Sequence, residues 1–275
     1  MKLGSSAEPF RVFGAERYTV MKKYGFDYAD ICVDDEGAEA LSDEEYRQRY
    51  RDEKALADKA GVLLHQVHGP WRYPPHDETP ELRAGRMAWM QRSIRATAEV
   101  GVKNWVIHPL MPFGAEQEFD KEAFWSINEA FFRELLVTAK QCDVTICFEN
   151  MPMAGLSMSP PAQTLAFIRQ INDEHFRFCL DTGHCAVLGV RPGDAVRAAG
   201  KDLQVLHVHD NSGKRDDHWV PCTGVIDWTD FRDALRETGF GGVYSLECNT
   251  AAFLPHAPEE TRIQCLAAVV RSITD

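Results

Sequence analysis

Short apolar runs alternate with longer amphipathic segments along the whole chain. The runs have the length of strands, and between them apolar residues recur at helical spacing. This pattern predicts strands over Lys2–Ser5, Tyr28–Val33, Leu63–His68, Trp105–His108, Thr145–Glu149, Phe176–Asp181, Val205–His209 and Val243–Glu247. It predicts helices over Arg11–Tyr24, Asp43–Ala60, Glu81–Val100, Asp120–Cys142, Pro161–Ile171, Pro192–Ala199, Trp228–Thr238 and Pro258–Ile273.

Eight strands that alternate with helices indicate a parallel sheet covered by those helices. The most economical arrangement is an α/β fold with a parallel eight-stranded closed sheet, a single (β/α)8 TIM barrel domain over residues 1–275. A doubly wound open sheet is the alternative. However, no glycine-rich dinucleotide or phosphate-binding motif follows the first strand.

Composition narrows the function classes. The chain has 275 residues, with 30 Lys and Arg against 42 Asp and Glu, which gives a formal charge of −12. We therefore expect no nucleic-acid partner. The longest apolar runs are strand-sized, so we expect no membrane association. The eight cysteines form no C-x-x-C pair, and the first residues lack a signal-peptide pattern. We expect a reduced, cytoplasmic protein.

An ionisable residue stands at the carboxyl end of six successive predicted strands. In a parallel barrel these ends meet at one rim, where catalytic groups lie. One such residue is explained more simply by a cap or a salt bridge, but crowded carboxylates need a cation. The set has no thiolate, which suits Mn²⁺, Mg²⁺, Co²⁺ or Zn²⁺. Its members are His68, His108, Glu149, Asp181, His207 and Glu247.

The neighbouring histidines on strands leave alternatives open. His207 and His209 are two residues apart and share a strand face, so either can reach an ion. His65 and His68 are three residues apart and face oppositely. We interpret His65 as a packing residue with its hydrogen bonds satisfied.

Three loop residues have two interpretations each. His184 follows Asp181 by three residues at the entry to the next helix, where it can contact metal or substrate. Asp216 and His218 lie two residues apart in a Gly/Asp-rich loop and are either chelating or solvated.

In order and spacing, these residues resemble the xylose-isomerase-like barrel superfamily. That group holds sugar isomerases and epimerases, inosose dehydratases and zinc AP endonucleases of the endonuclease-four type. The resemblance runs from about His68 to Asn249 and rests on HGPW, IHP, FENMP, LDTGH, HVHD, DDH…PCTGVIDW and LE. One departure concerns the usual Gly-x-Gly before IDW, which reads Cys222-Thr-Gly224 here and puts the loop geometry in question.

The resemblance implies one divalent metal ion, with Mn²⁺ favoured over Mg²⁺, Co²⁺ and Zn²⁺. Carried over residue by residue, its ligands fall on Glu149, Asp181, His207 and Glu247. The endonuclease pattern, with three zinc ions, would add His68, His108, His184, Asp216 and His218. For a sugar enzyme we expect substrate contacts from His68, His108, His184, Arg215, Asp216 and His218.

We therefore expect a metal-dependent isomerase or epimerase whose partner is a small keto- or aldo-sugar or a polyol derivative. Glu149 and Glu247 would act as acid and base while the metal stabilises an enediolate. Proton transfer on opposite faces gives epimerisation, and transfer between two carbons on one face gives isomerisation. A metal-assisted hydride shift is a third route. Dimers and tetramers are common among relatives, so a homo-oligomer is one alternative for the assembly, which the sequence leaves open.

Two other activities compete with this one. Loss of a β-hydroxyl from the same enediolate would give a dehydratase or lyase of inosose or keto-glycoside type. A zinc AP endonuclease would need a basic rim. The loop HGPWRYPPHDETPELRAGR carries arginines, but the loop DDEGAEALSDEE is acidic. This mixture disfavours DNA binding.

Two kinds of loop residue bear on the substrate. The segment Met151–Met158 suits a lid or an apolar wall. Trp71, Phe113, Trp219 and Phe253 lie in predicted βα loops, where they either stack on the substrate or pack the barrel rim.

Overall fold

The barrel wall consists of eight parallel strands in the order β7-β6-β5-β4-β3-β2-β1-β8. The computed structural model describes residues 1–34, 37–71, 76–114 and 120–274. The strands are β1 (Lys2–Ser6), β2 (Tyr28–Ile31), β3 (Leu63–His68), β4 (Asn104–Ile107), β5 (Thr145–Glu149), β6 (Phe176–Asp181), β7 (Leu203–His207) and β8 (Val243–Leu246). All eight predicted strands are present, and the predicted α/β barrel is confirmed.

The sheet closes between β7 and β8 through one residue beyond β7. Val208 N donates to Ser245 O over 2.8 Å, and Glu247 N donates to Val208 O over 3.0 Å. These two bonds form a parallel bridge between Val208 and Leu246. Other neighbouring strands share three or four paired residues. The seam between β7 and β8 is therefore the shortest pairing in the described barrel.

Helices cover the outside of the barrel. They are α1 (Arg17–Lys23), α2 (Asp43–Ala60), α3 (Pro80–Glu99), α4 (Lys121–Gln141), α5 (Pro161–Ile171), α6 (Thr182–Val187), α7 (Pro192–Ala199), α8 (Trp228–Glu237), α9 (Thr250–Phe253) and α10 (Glu259–Thr274). Short helices α6 and α9 are additions to the predicted set.

The predicted first helix, Arg11–Tyr24, is wrong in its first half. Residues Glu8–Glu16 form 3₁₀ turns, and the α-helix begins only at Arg17. The reason is Gly14, whose backbone angles (φ 55°, ψ −126°) are not helical. A glycine reaches this region without the steric cost that a side chain would add.

The two faces of the strands carry different residues. Outward side chains join the helices, as in the cluster of Phe132, Phe148, Phe167 and Phe176, whose ring centroids lie 5.0–6.3 Å apart. Inside the barrel lies a small buried cluster of Val106, Cys147, Cys179 and Val205. Because side chains alternate along a strand, the residues two positions further on face the same way. Those residues are His108, Glu149, Asp181 and His207.

All eight cysteines are free. Within the described ranges, no helix has both the length and the apolar character that a membrane crossing requires.

Candidate metal centre

Four of the predicted residues converge at the carboxyl ends of β5 to β8. Glu149, Asp181, His207 and Glu247 each offer one ligand atom, and these atoms all lie within 4.8 Å of one another. His207 Nδ1 lies 3.2 Å from Glu149 Oε1 and 2.9 Å from Glu247 Oε2. The structure thus brings together the four side chains that the resemblance singled out. We call this set the quartet.

An amide side chain that sequence reasoning left without a role holds two of these strand ends together. Asn150 Oδ1 accepts from Asp181 N over 2.9 Å, and Asn150 Nδ2 donates to Asp181 O over 3.1 Å. Asp181 in turn caps α6, because its Oδ1 accepts from His184 N over 2.6 Å. Asp181 is thereby fixed at both backbone and side chain.

Electrostatics in the quartet favour two ionised carboxylates beside a protonated imidazole. Burial works against ionisation of Glu149, but His207 and His108 outweigh it and hold its pKa well below the usual range. The pKa of Glu247 is lowered against burial in the same way, chiefly by His207. Burial also opposes protonation of His207, yet the carboxylates of Glu247 and Glu149 outweigh it and raise the pKa of His207 well above the ordinary value. A cation that binds here would replace the His207 proton.

A divalent metal fits this set of donors. Glu149 Oε2 is buried and accepts no hydrogen bond of good geometry from the part of the chain that the structure describes. An orphaned buried carboxylate oxygen is costly unless a cation compensates it. Carboxylate and imidazole ligands together suit ions such as Mn²⁺, Co²⁺ and Zn²⁺.

A cysteine also faces the centre. Cys179 forms a close group with Glu149 and His207. Burial raises the pKa of its thiol well above the ordinary value. Burial therefore opposes formation of a thiolate here, and a ligand set without a thiolate stays a prediction.

Two further predicted residues lie on one side of Glu149. His68 Nε2 and His108 Nε2 are 3.2 Å apart, and they lie 3.7 and 3.2 Å from Glu149 Oε2. Burial lowers the pKa of His108. The three side chains form a second group with ligand atoms within 4.8 Å of one another.

The loop residues lie on the other side of the quartet. Asp216 Oδ2 is 3.2 Å from His184 Nε2 and 3.1 Å from His218 Nε2. Burial opposes protonation of both histidines. Asp181 and Asp216 raise the pKa of His184 to about 10, and Asp216 with Glu247 raises that of His218 to about 10. Asp216 and His218 therefore both contact other residues of the site, while Asp216 is also exposed to solvent.

The sequence left open which of His207 and His209 reaches an ion, and in the structure both rings contact carboxylates of the quartet. His207 contacts the two glutamates, whereas His209 Nε2 lies 3.0 Å from Asp181 Oδ2. Gly183 leaves room for this ring, since a Cβ there would lie 1.9 Å from His209 Cε1. His209 thus contacts the Asp181 oxygen, Oδ2, that does not cap α6.

Two predicted residues stand apart from the quartet. Arg215 has a side chain that is 83% exposed and lies 3.6 Å from Asp217, so its described contact is a surface ion pair. His65 packs edge-on against Tyr28 with ring centroids 6.0 Å apart. Its Nε2 is buried without a hydrogen-bond partner in residues 1–34, 37–71, 76–114 and 120–274. The expectation of packing is confirmed, and the expectation of satisfied hydrogen bonds is wrong.

The loop after β7 is organised by a second residue that sequence reasoning did not single out. Buried Asp210 accepts four hydrogen bonds, which come from Asn211 N (2.9 Å), Ile226 N (3.3 Å), Gly224 N (2.9 Å) and Trp228 Nε1 (2.9 Å). The sequence feature that could have pointed to Asp210 is its position in HVHD, directly after the inward-facing histidines.

The Cys222-Thr-Gly224 departure is accommodated in this loop. Cys222 takes the left-handed conformation (φ 70°) that a glycine would favour. Gly224 is required by close packing, since a Cβ there would lie 2.1 Å from Asn211 O.

The other loop expectations have mixed outcomes. Phe113 and Phe253 pack against the core, while Trp71 is 47% exposed near His108. Parts of the two rim loops whose charges were compared, residues 35–36 and 72–75, lie outside the described residues.

Comparisons with known proteins agree with this geometry. A family model described as a xylose isomerase-like TIM barrel matches residues 19–272. A D-psicose 3-epimerase of Ruminiclostridium cellulolyticum is 25% identical over 198 residues. That alignment covers 70% of this chain and 66% of the relative, slightly less than two thirds of its length.

Solved structures match over the whole chain. A D-tagatose 3-epimerase-like protein superposes with a TM-score of 0.78 at 20% identity, covering 100% of this chain and 98% of that one. An IOLI protein with a binding zinc atom superposes with a TM-score of 0.77 at 20% identity and the same coverage. These likenesses show a shared fold.

Proposed function

The chain belongs to the xylose isomerase-like TIM barrel family, and we propose that it is a divalent-metal-dependent sugar epimerase or isomerase. The observation that carries the proposal is the quartet, in which Glu149 and Glu247 approach His207 Nδ1 from two different strands, over 3.2 and 2.9 Å. The likeness to a D-psicose 3-epimerase supports it and favours epimerisation over elimination. The substrate would be a keto- or aldo-sugar or a polyol derivative.

The two glutamates have different surroundings, which suits different roles. Glu149 has a side chain that is 1% exposed, whereas that of Glu247 is 32% exposed. Glu247 borders an open cleft of about 660 Å³, which Asp216 and His218 also line. We place the reacting carbons of the substrate at the edge of this cleft, next to Glu247.

In the proposed reaction, one glutamate removes the proton from the carbon beside the carbonyl and keeps it, while the other, which has taken up a proton from solvent, delivers that proton to the opposite face. The surroundings lower the pKa of each carboxylate, so each can serve as the base when it is the one that carries no proton. Either can therefore act first as the base, which suits a reversible epimerisation. A divalent ion held by the quartet would supply Lewis-acid stabilisation of the negative charge on the substrate oxygens. His184 and His218 donate from Nδ1 to the backbone oxygens of Asn150 and Glu247 and from Nε2 to Asp216, so a substrate oxygen would have to take the place of Asp216 to bind them.

Metal analysis of the purified protein tests this function first. We expect about one Mn, Mg or Co per chain, lost in the double variant Glu149→Gln/Glu247→Gln. The control is Glu134→Gln/Glu174→Gln, which changes two exposed glutamates and should keep the metal. Turnover of a ketohexose panel, followed by NMR exchange of the C3 proton, should disappear with the metal.

Two results would contradict the proposal. If the chain takes up no divalent metal under reconstitution, the quartet is not a metal site and the proposed metal-dependent reaction is wrong. About three zinc ions per chain, filling the groups around His108 and His218 as well, would favour phosphodiester hydrolysis of abasic-site DNA instead.

The setting of the enzyme is part of the proposal. We place it in the cytoplasm as one barrel domain over residues 1–275, and the eight free cysteines support a reducing compartment. A homo-oligomer stays a prediction, which light scattering of the purified protein would check.

A further inference from the structure

A cleft with apolar walls adjoins the candidate metal centre. It lies between the loops that follow β3, β4 and β5, and four methionines line it: Met90, Met111, Met151 and Met153. We call it the methionine cleft. His108 belongs to its lining and also lies 3.2 Å from Glu149 Oε2 through Nε2. His108 therefore borders both the cleft and Glu149 of the quartet.

The walls of the cleft are already in place. Met90 and Met111 are 2% and 3% exposed, so their side chains are held by surrounding packing. A buried ion pair fixes the wall between them, because Asp77 Oδ1 accepts from Arg86 Nε over 2.9 Å. Asp77 Oδ2 accepts from Met111 N over 3.0 Å. Both oxygens of Asp77 are thus used inside the protein.

The chemistry of the walls selects against a hydroxyl group. A hydroxyl that enters such a cleft gives up hydrogen bonds to water, whereas an alkyl group leaves water with a gain in free energy. Thioether side chains adapt to the shape of a small apolar group and offer it polarisable contacts. The cleft therefore favours an apolar end of a substrate.

The size of the cleft limits that end to a small group. Its volume is about 50 Å³. One buried water needs roughly 10–15 Å³ on this measure, so the space holds a methyl or short alkyl group and not a second sugar ring.

We propose that the methionine cleft binds the terminal methyl group of a deoxy sugar, so that the preferred substrate is a deoxyketose rather than its hydroxylated parent. This inference rests on the proposed function, because the cleft and the quartet would hold two ends of one substrate. Trp71, 47% exposed with its ring 5.8 Å from that of His108, stands where the sugar ring would pass. The cleft would set specificity without taking part in proton transfer.

Paired substrates test the inference on the metal-loaded protein. The pairs are 6-deoxy-D-fructose with D-fructose and 6-deoxy-D-tagatose with D-tagatose. We expect kcat/KM to favour the deoxy member of at least one pair by about tenfold or more, since apolar pockets discriminate small groups to roughly this degree. Calorimetric affinities for the same sugars provide a readout that does not depend on turnover.

Glutamine variants locate the preference. Met153→Gln places an amide at a half-buried position of the cleft and should bring the preference close to unity. Met90→Gln does the same at a deeper position of α3 and serves if the first variant is poorly folded. The control is Met87→Gln, also on α3 but absent from the cleft lining, and it should keep the preference. Circular dichroism checks that each variant is folded.

The outcomes separate this inference from the function on which it rests. Equal turnover and affinity within both pairs, or a preference unchanged in both cleft variants, would overturn the cleft assignment and leave the epimerase standing. Tighter binding of the deoxy sugar without turnover would overturn the epimerase and keep the cleft assignment. A protein that neither binds nor converts any of these sugars would overturn both.

Discussion

Replacing Asp210 by Asn should destabilise the protein strongly although it changes only one oxygen to an amide nitrogen. Each carboxylate oxygen of Asp210 accepts two hydrogen bonds from the loop and from α8. Whichever oxygen is replaced, two buried N–H groups lose their acceptor and face another donor. A buried donor left unsatisfied costs about 1–3 kcal/mol, so two of them give a loss of about 2–6 kcal/mol in unfolding free energy.

Equilibrium urea unfolding of metal-free protein, followed by circular dichroism, measures this loss. The control is Asp217→Asn in the same loop, where a bond from Ser212 Oγ over 3.0 Å and the exposed ion pair with Arg215 are at stake. That variant should lose about 1 kcal/mol or less. Equal midpoints for the two variants would refute the view that Asp210 organises the loop.

Three smaller perturbations have defined outcomes. Cys222→Gly should raise the unfolding free energy by about 1 kcal/mol, because φ is 70° there, and a lower urea midpoint would contradict this. Gly183→Ala should displace His209 and lower stability by about 1–3 kcal/mol with weaker metal uptake, whereas unchanged calorimetric affinity would speak against it. In metal-free protein, burial raises the pKa of Asp30 from 3.8 to about 6, so the native state holds more protons than the unfolded chain between these values. Stability should fall as pH rises through this window, by at most about 3 kcal/mol, and Asp30→Asn should remove that slope from the urea midpoints. Parallel pH curves for the two proteins would exclude this role.

The strands could be predicted because each carries its own local signal. The strand predicted over Thr145–Glu149, for example, has the same two ends in the structure. The residue at which a strand ends depends on its pairing with neighbouring strands. His108 and Glu247 therefore lie one residue beyond the strands that were predicted to include them. The first helix failed at Gly14, where a backbone conformation that only glycine takes easily overrides the helical pattern.

The pattern of strand ends indicated six candidate residues, and the resemblance to a known family narrowed them to the quartet. The supporting contacts were not accessible in this way. Asn150 and Asp181 are 31 residues apart, and only the folded barrel shows that the amide joins them. Arg215 illustrates the opposite case, since a matching position in a motif did not place its side chain at the site.

Because the pairing between β7 and β8 is so short, an ion bound at the quartet would also affect the stability of the barrel wall. Val208 alone joins β7 to β8 in the described chain, and His207 and Glu247 flank that joint. An ion bound by both His207 and Glu247 would link β7 to β8 at the shortest pairing of the wall. Amide hydrogen exchange at Val208 and Glu247 should then slow as ion concentration rises, because opening the joint would require release of the ion. Binding of the ion would thus both complete the candidate site and stabilise the pairing between β7 and β8.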